Sequence, residues 1–427
     1  MHAKIIDFLS LQKMNNYTYL IMKKAATFLC CLCILLAGCK NRPQQELNES
    51  DNSYSVEDDN TDSLKIYFLD FEKNLKDTET DTFTINSIAK NITFIPLETS
   101  PKFLLRYHFF KTAKVGKSYY VSSGIGSMFS GIIEFDSTGH FKNYLVQNGR
   151  GPKELTNVSS WSYNSSMQQL IARGSGAILL HSFQKNVTDK YNLSEWIGHG
   201  CLLNDGNIVA LATTVGTGDT DAPYLKFLNH KGEIVKLLYY PSKRNIYYNL
   251  QETQGDVGIL ESYQLYPSNS GGALFKDMFN DTIYHVSGID DVRPYIILNR
   301  GSLTPKAKDG LNREAKAKTV IVTKIVEAED HFFILYGYKD VMYNAIWNKQ
   351  SLTLIANTVA DFSNENYPVI NNNGFTKYRT PNNKEILIAI SSYYDGKLYG
   401  VLDASQAMEF LPDIKEDDNP VLMIIDI

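Results

Sequence analysis

The sequence predicts an all-β protein that folds as a six-bladed β-propeller with four-stranded blades, preceded by a signal peptide and a flexible tether. From about residue 82 onward, short runs rich in Tyr, Phe, Ile, Val and Thr alternate with Gly, Asn and Asp, a texture typical of short strands joined by turns. A strand–turn–strand pattern recurs five times, and its first three intervals are about 45–51 residues. Two apolar segments, one at each end of this region, are candidates to close a ring.

The chain begins with a leader that ends at a cysteine. The run Ala25–Leu36 is almost entirely apolar, two lysines precede it, and the letters LAGC end it at Cys39. A cationic start, a short apolar run and a small-residue cleavage site make a secretory signal, and a bilayer span needs about 20 residues. LAGC resembles the lipobox of bacterial lipoproteins, which implies that residues 1–38 are removed and that Cys39 carries lipid. Residues 1–21 show no export pattern, so Met22 is the predicted start.

Residues 39–81 are predicted to be an acidic, flexible linker behind the lipidated cysteine. Asn, Gln, Ser, Asp and Glu dominate residues 40–63, and such a stretch cannot bury enough apolar surface to order itself. We expect the protein to contact the outer membrane through its acyl chains, because two or more chains anchor stably. In Bacteroidetes, charge just after the lipidated cysteine can direct a lipoprotein to the cell surface. The acids here begin at Glu46, so periplasmic and surface display both stay open.

The net charge argues against a nucleic-acid partner, and the cysteine count argues against an internal disulfide. The formal net charge is −5, whereas nucleic-acid binding calls for a basic face, so we expect no nucleic-acid partner. Of the five cysteines, three lie in the leader and Cys39 takes lipid, which leaves Cys201 without an internal disulfide partner. Beside Leu202 and Leu203, it is predicted to be a small buried hydrophobic residue.

Two kinds of strand recur from residue 82 to residue 427. Hairpins centre near residues 137, 185, 230, 281 and 349. In "GIIEFDSTGHFKNYL" and "YLKFLNHKGEIVKLL", Gly139 and Gly232 stand at matching turn positions. A second strand type recurs in the segments 117–123, 168–174, 206–213, 331–338 and 396–403. The segment 303–319 interrupts this pattern and is predicted to be partly helical.

A repeated four-stranded unit of this length is what a propeller blade requires. One blade cannot cover its own apolar faces, but blades arranged radially bury them against their neighbours. Six units fit residues 82–427. Residues 91–98 and 419–426 are the predicted closing strands, and Pro96 and Pro420 suit strand edges or ends because proline donates no ladder hydrogen bond.

Four segments occur in the order found in six-bladed propeller lipoproteins of Bacteroidetes, a family similar in pattern to NHL and TolB-like propellers. They are residues 83–100, 135–155, 275–286 and 415–427. The piece Gly-x-Gly-Pro-x-Glu at Gly149–Glu154 resembles the inter-blade link of NHL repeats. The resemblance covers residues 83–427 and implies a location and a fold more than a chemistry.

No recognisable catalytic motif is present, and we predict neither catalytic residues nor a cofactor. His-Glu-x-x-His, Cys-x-x-Cys and the phosphate-binding Gly-Lys-Ser loop are all missing from the sequence. A propeller can still draw metal ligands from several blades around its channel. The histidines best suited to such a site are His199, with Asp205 nearby, and His108, although we predict no metal.

Two functions from different classes follow. The first is a non-catalytic binding or scaffold module outside a Gram-negative cell, with a glycan, a peptide or an envelope protein as partner. The alternative is an NHL-type lyase or hydrolase with a metal at the channel mouth. Because one fold hosts many functions, only the residues of the functional site can distinguish the binding module from the enzyme. Three or more converging His, Asp or Glu residues would favour the enzyme, and an aromatic-lined cleft would favour binding.

Overall fold

A computed structural model describes residues 65–75, 82–101, 103–105, 110–124, 129–212, 223–239, 264–277, 280–305, 317–339, 341–359 and 374–427. The leader, Cys39, most of the predicted linker and His108 lie outside these ranges. Within them, six sheets of four or five strands form the blades of a six-bladed β-propeller, which confirms the predicted fold class. No helix in this described part is long and apolar enough to cross a membrane.

Each of the first three blades is built from strands that are consecutive in the sequence. Blade 1 contains β3 (Lys111–Val115), β4 (Ser118–Ser122), β5 (Ile132–Phe135), β6 (Phe141–Asn148) and the short β7 (Glu154–Leu155). Blade 2 contains β8 (Ser160–Asn164), β9 (Gln169–Gly174), β10 (Ala177–Ser182) and β11 (Val187–Asn192). Blade 3 contains β12 (Gly200–Leu202), β13 (Ile208–Leu211), β14 (Leu225–Leu228) and β15 (Ile234–Leu238).

Blades 4 and 6 each recruit a strand from the N-terminal part of the chain, and blade 5 does not. Blade 4 contains β16 (Gln264–Pro267), β17 (Ala273–Lys276), β18 (Thr282–Gly288), β19 (Asp291–Asn299) and β1 (Tyr67–Asp70). Blade 5 contains β20 (Ile321–Glu327), β21 (His331–Tyr338), β22 (Val341–Asn348) and β23 (Leu354–Val359). Blade 6 contains β24 (Gly374–Arg379), β25 (Glu385–Tyr394), β26 (Lys397–Leu402), β27 (Val421–Asp426) and β2 (Asn91–Pro96).

The ring closes through the two segments that were predicted to be its closing strands, residues 91–98 and 419–426. β2 pairs antiparallel with β27 along its whole length, from Asn91 opposite Asp426 to Pro96 opposite Val421. The outermost strand of blade 6 therefore comes from the start of the propeller, and its neighbours come from the end. Pro96 is the last residue of β2, as expected for a residue without a backbone donor.

The predicted linker and propeller boundary needs a correction. Residues 39–81 were assigned to the linker, but Tyr67–Asp70 forms β1, which runs parallel to β19 at the edge of blade 4. The short helix α1 (Phe71–Asn74) follows it. Leu69 and Phe71 are fully buried in the core between blades 4 and 5. The propeller body therefore begins before residue 82, because these apolar side chains contribute to its core.

The repeat pattern is confirmed in four of its five hairpins. The second strand type corresponds to β4, β9, β13, β21 and β26, the second strands of five blades when β25 is counted as the first strand of blade 6. The hairpins near 137, 185, 230 and 349 join third and fourth strands, but the one near 281 joins the second and third strands of blade 4. The equivalent turn of blade 4 lies between Gly288 and Asp291. Register shifts along β18 and β19 interrupt the strand pairing on both sides of this turn. The sequence pattern therefore did not reveal that the turn lies there.

Both predicted turn glycines have left-handed backbone, and Gly139 is also required by a close backbone approach. Gly139 has φ +91°, and a Cβ atom there would lie 2.0 Å from the Pro96 carbonyl oxygen of β2. Gly232 has φ +80° at the matching turn of blade 3. Left-handed backbone of this kind favours glycine. The turn at Gly139 therefore packs directly against the closing strand.

Four short helical segments lie wholly within the described ranges. They are the α-helices α1 and α2 (Ala404–Ala407) and the 3₁₀ turns Ile85–Ser87 and Gly301–Leu303. Ala317 is also helical. The 3₁₀ turn at Gly301–Leu303 reaches the first residue of the predicted insertion 303–319, whose residues 306–316 lie outside the described ranges.

Candidate functional site

The first strands of the blades surround a central channel. Neighbouring first strands β8, β12, β16, β20, β25 and β3 contact one another in that order around the ring. They enclose a cavity of about 350 Å³, which falls in the usual range for a small-molecule site, about 300–1,000 Å³.

Side chains on these first strands hydrogen-bond to carbonyl groups of the next blade. Adjacent first strands belong to different sheets, so their facing backbone groups need other partners. Neutral side chains supply them at several junctions: Ser162 to the Gly200 carbonyl (3.2 Å), Asn164 to Leu202 (3.0 Å), Gln264 to Val322 (2.9 Å) and Ser392 to Thr112 (2.8 Å). The channel wall is therefore held together by bonds that run from blade to blade.

Lys111 begins β3 and contributes a positive charge to the cavity. Its ammonium group donates to the Trp161 carbonyl of blade 2 and lies 5.3 Å from the centroid of the Trp161 ring. Burial lowers the pKa of Lys111. In the part of the chain that the structure describes, Lys111 forms no ion pair with a carboxylate.

Lys324 lies in the middle of β20 and is almost fully buried, with 7% of its surface exposed. Its Nζ atom is 3.2 Å from the Ile390 carbonyl oxygen and 3.5 Å from that of Ser391, both on β25. Burial, and then the positive charge of Lys111, lower the pKa of Lys324 to about 7. The ammonium form of Lys324 therefore carries an electrostatic cost in the folded protein.

His199 lines the channel just before β12 and is neutral near pH 7. Its side chain is open to the channel space, but protein atoms enclose it on most sides. This enclosure, and then the charges of Lys111 and Arg173, lower the pKa of His199 to about 4. His199 can therefore accept or donate a hydrogen bond without adding charge.

The structure does not bring the predicted metal-ligand candidates together. His199 precedes β12, whereas Asp205 follows it, at the turn into β13, where it accepts a hydrogen bond from the Asn207 amide at 2.9 Å. Asp205 does not line the cavity, and His108 falls outside the described residues. Among those residues, no group of three or more His, Cys, Asp or Glu side chains is placed to hold a metal ion.

Cys201 is confirmed as a small buried residue of the wall. It is 3% exposed and lies in the core cluster between blades 3 and 4. Burial raises the pKa of the Cys201 thiol to about 11, although Lys111 and a hydrogen bond with Ser162 act in the opposite direction. The thiol is therefore protonated and unreactive at neutral pH.

Several aromatic side chains line the channel, together with aliphatic ones. The aromatic ones are Phe110, Phe129, Trp161, Tyr163, Tyr266, Tyr393 and Tyr394. Trp161 is held by a 2.6 Å hydrogen bond from its Nε1 atom to the Ser122 hydroxyl. Burial raises the pKa values of Tyr266 and Tyr394, so both phenols stay protonated. The sequence predicted aromatic strands but gave no sign of which rings face the channel.

Two acidic residues line the described part of the cavity, and one of them is already neutralised. Glu327 receives hydrogen bonds from Lys349 (2.9 Å), Ser268 (2.6 Å) and Tyr295 (2.5 Å). Burial would raise the pKa of Glu327, but Lys349 and these hydrogen bonds outweigh it and lower the pKa. The other acid, Asp395, is exposed in the turn between β25 and β26. The lining residues that the structure describes therefore include two lysines and two carboxylates, of which Glu327 is engaged by Lys349.

The inter-blade piece Gly149–Glu154 folds as a compact turn between blades 1 and 2. The Glu154 carboxylate accepts a 2.7 Å hydrogen bond from the Gly151 amide, and a Cβ atom at Gly149 would lie 2.1 Å from that carboxylate. Lys190 of β11 donates to the carbonyl groups of Gly151 (3.1 Å) and Glu154 (2.8 Å). The glycines and the glutamate of this motif therefore have a structural role.

Comparison with known proteins gives a family and a fold. A family model described as "Domain of unknown function (DUF4934)" matches residues 66–426. Among solved structures, a predicted exported protein of Bacteroides fragilis NCTC 9343 is 16% identical, with a TM-score of 0.59 over 85% of this chain and 99% of that one. A member of the DUF4221 family from Bacteroides vulgatus ATCC 8482 is 11% identical, with a TM-score of 0.47 over 79% of this chain and 96% of that one. None of the curated proteins matches the sequence.

Proposed function

This chain belongs to the DUF4934 family, and we propose that it is an exported, non-catalytic binding propeller that takes a ligand into its central channel. In this proposal, lipid on Cys39 holds the protein at the outer membrane of a Gram-negative cell. The partner is a glycan, a peptide or a segment of an envelope protein. The observation that carries the proposal is the cavity of about 350 Å³, with aromatic walls and a few convergent polar groups, which is the usual composition of a ligand site.

Two further observations support export. The leader combines lysines, a short apolar run and a cleavage site before Cys39. The B. fragilis protein of similar fold is itself described as exported. We also propose that the chain is related to the six-bladed propeller lipoproteins of Bacteroidetes, which are similar in pattern to NHL and TolB-like propellers and would share this location.

The alternative, an NHL-type lyase or hydrolase with a metal at the channel, receives less support from the channel chemistry. Its described imidazole and carboxylate groups are His199, Glu327 and Asp395, and Glu327 is engaged by Lys349. A metal would also have to bind beside Lys111 and Lys324, whose positive charges repel cations. We therefore place the binding function first.

A channel-blocking variant tests the proposal. Ser165 lines the cavity, is exposed in the turn between β8 and β9, and can accept a large side chain at the channel mouth. The protein without its leader is screened by thermal shift against soluble oligosaccharides, short peptides and small organic acids, and hits are titrated by calorimetry. The proposal expects S165W to weaken binding at least tenfold, which is about 1.4 kcal/mol.

The matched control is K185W, which adds the same ring to the exposed turn between β10 and β11, away from the cavity. It should leave the affinity unchanged. Equal binding by wild type and S165W would show that the channel is not the site. Conversion of a hit to a new product would favour the enzyme instead.

A further inference from the structure

Trp196 is an aromatic side chain that the fold leaves half exposed close to the channel. The protein has three tryptophans, of which Trp161 is 3% exposed and Trp347 is fully buried, whereas Trp196 is 49% exposed. Tryptophan is highly buried on average, because its ring carries a large apolar area. A single exposed apolar residue needs no explanation in itself, so the surroundings of Trp196 decide whether it has a role.

The ring of Trp196 is held in a fixed position. The guanidinium carbon of Arg173, a residue that is only 8% exposed, lies 5.0 Å from the ring centroid, so a buried cation supports the ring. Lys226 donates to the Trp196 carbonyl at 3.1 Å and pairs at 2.6 Å with Glu195. The next residue, Ile197, is fully buried in the core between blades 2 and 3. Such fixed presentation lowers the entropy cost of binding a ligand.

The neighbouring first strands β8 and β12 run in the same direction along the channel. Ser162 bonds to the Gly200 carbonyl, and Asn164, two residues further along β8, bonds to the Leu202 carbonyl, two residues further along β12. The two strands therefore begin at one end of the channel and finish at the other. Ser165, which follows β8, lies at the end where they finish.

Trp196 belongs to the end of the channel where these strands begin. Two residues separate it from His199, which precedes β12 and lines the cavity. Its ring partner Arg173 donates a 2.5 Å hydrogen bond to the hydroxyl of Ser159, which precedes β8 and also lines the cavity. Trp196 is thus one side chain away from the cavity wall, where a ligand longer than the cavity would reach it.

The surroundings of Trp196 suit a sugar better than a protein surface. The exposed residues that precede it on the same segment are all polar: Asn192, Ser194 and Glu195. Protein hot spots, by contrast, lie among packed contacts that exclude water. A sugar ring has a face of C–H groups that stacks on an indole, and hydroxyl groups that need hydrogen-bond partners. The neutral imidazole of His199 and the hydroxyl of Ser159 can supply such partners.

We infer that Trp196 is the stacking platform of a glycan-binding site at this end of the channel, with His199 and Ser159 bonding to the sugar that enters the cavity. This inference rests on the proposed function and deepens it, because it selects the glycan among the partners and adds a contact outside the cavity. One sugar ring lies on the exposed part of the indole, and the next ring enters the channel. A chain of several sugars therefore gains a contact that a single sugar in the cavity lacks.

Sugar chains and single sugars are compared on the leaderless protein. Maltohexaose, cellohexaose, xylohexaose and chitohexaose are titrated by calorimetry, together with glucose, xylose and N-acetylglucosamine. We expect at least one hexasaccharide to bind at least tenfold more tightly than its own monosaccharide, which is about 1.4 kcal/mol. The same hexasaccharide should move the tryptophan emission to shorter wavelength, because it removes water from the exposed indole.

Substitutions of Trp196 separate its flat ring from its volume. W196L keeps an apolar side chain over Arg173 but removes the aromatic face, so it should weaken hexasaccharide binding at least tenfold and remove the emission shift. W196Y keeps an aromatic face and should keep most of the binding. The control F68A removes a ring that is 48% exposed on β1 and should leave the affinity unchanged. Melting curves establish that each variant is folded. Should W196L unfold, oxidation of the exposed indole in the folded wild type by N-bromosuccinimide replaces it and should abolish the binding.

The outcomes separate this inference from the proposed function. A hexasaccharide whose binding is weakened by S165W but not by W196L would leave the channel as the site and overturn the platform. Failure of all four hexasaccharides to bind at millimolar concentration would also overturn the inference, while the peptide and organic-acid screen would still decide the proposed function. A peptide whose binding W196L weakens, with every hexasaccharide inactive, would assign the ring to a protein partner instead.

Discussion

Lys324 is a residue whose protonation differs between the folded and unfolded chain. Its ordinary pKa of 10.5 falls to about 7 in the folded protein. Between these two values, the unfolded chain binds a proton that the folded protein does not, so this residue makes stability rise with pH from about 7 to about 10.5. Its contribution to that slope is at most about 1.4 kcal/mol per pH unit.

K324M therefore should flatten the dependence of stability on pH. We expect the free energy of unfolding of the wild type to gain more between about pH 7.5 and 9.5 than that of K324M. Urea denaturation at several pH values measures both slopes, and K185M should match the wild type. Identical slopes in K324M and the wild type would mean that Lys324 stays protonated throughout.

Cys39 is the residue on which the proposed membrane attachment depends. If it is the lipidated first residue of the mature chain, C39S should move the protein from the membrane fraction to the soluble fraction, because no acyl chain remains to anchor it. Fractionation of cells that produce each form, followed by immunoblotting, measures the distribution. A variant that stays in the membrane fraction at the wild-type level would contradict the lipid anchor.

At the residue scale, the sequence predicted some roles well and others not at all. Cys201 was recognisable as buried because apolar neighbours surround it in the sequence. Lys111 and Lys324 were not recognisable as cavity residues, since each is a single lysine in an ordinary strand and the two line one cavity only in the closed ring. The pairing of His199 with Asp205 was suggested by their closeness in sequence, but β12 separates them.

β1 is the strand that could not be predicted from the residues around it. Its four residues follow a polar, acidic stretch, and its partner β19 is distant in sequence, so no local signal marks it as a strand. In the fold, Tyr67 adds a ring to the pocket around Lys349, whose Nζ atom lies 5.1 Å from the ring centroid. The second strands of the blades were predictable, by contrast, because their burial on both faces gives each one an apolar run.

L69A tests whether β1 belongs to the propeller body. Leu69 is fully buried, whereas the next residue along the strand toward the N-terminus, Phe68, is 48% exposed. Truncating a buried leucine costs about 2–5 kcal/mol, so L69A should lower the free energy of unfolding by that amount. F68A, on the same strand, should change it by no more than about 0.5 kcal/mol. Equal effects of the two substitutions, measured by urea denaturation, would remove β1 from the core.

Deletion of β27 tests the closure of the ring. The strand bonds to β26 on one side and to β2 on the other, and Val421 to Ile425 are buried. Removing residues 421–427 should lower the melting temperature of the whole body and promote aggregation, because two strand edges are exposed. Removal of residues 40–60 should leave the melting temperature unchanged. Unchanged melting after the C-terminal deletion would contradict a closed ring.

The whole molecule combines a predictable scaffold with a site that only the closed ring creates. Repetition, turn residues and the two closing segments indicate six blades, since each of these signals is local or recurs along the chain. The channel is different. Its wall takes one strand from each blade, so residues from β3, β8, β12, β16, β20 and β25 become neighbours without any sequence motif joining them.

An anomalous diffraction measurement tests the central claim most directly, namely that the channel is the binding site. Crystals of the leaderless protein are soaked in 4-bromobenzoate, whose bromine atom marks the position of the molecule. We predict one bromine peak inside the channel, among the aromatic rings. Bromine peaks confined to the outer surface of the ring would contradict the account.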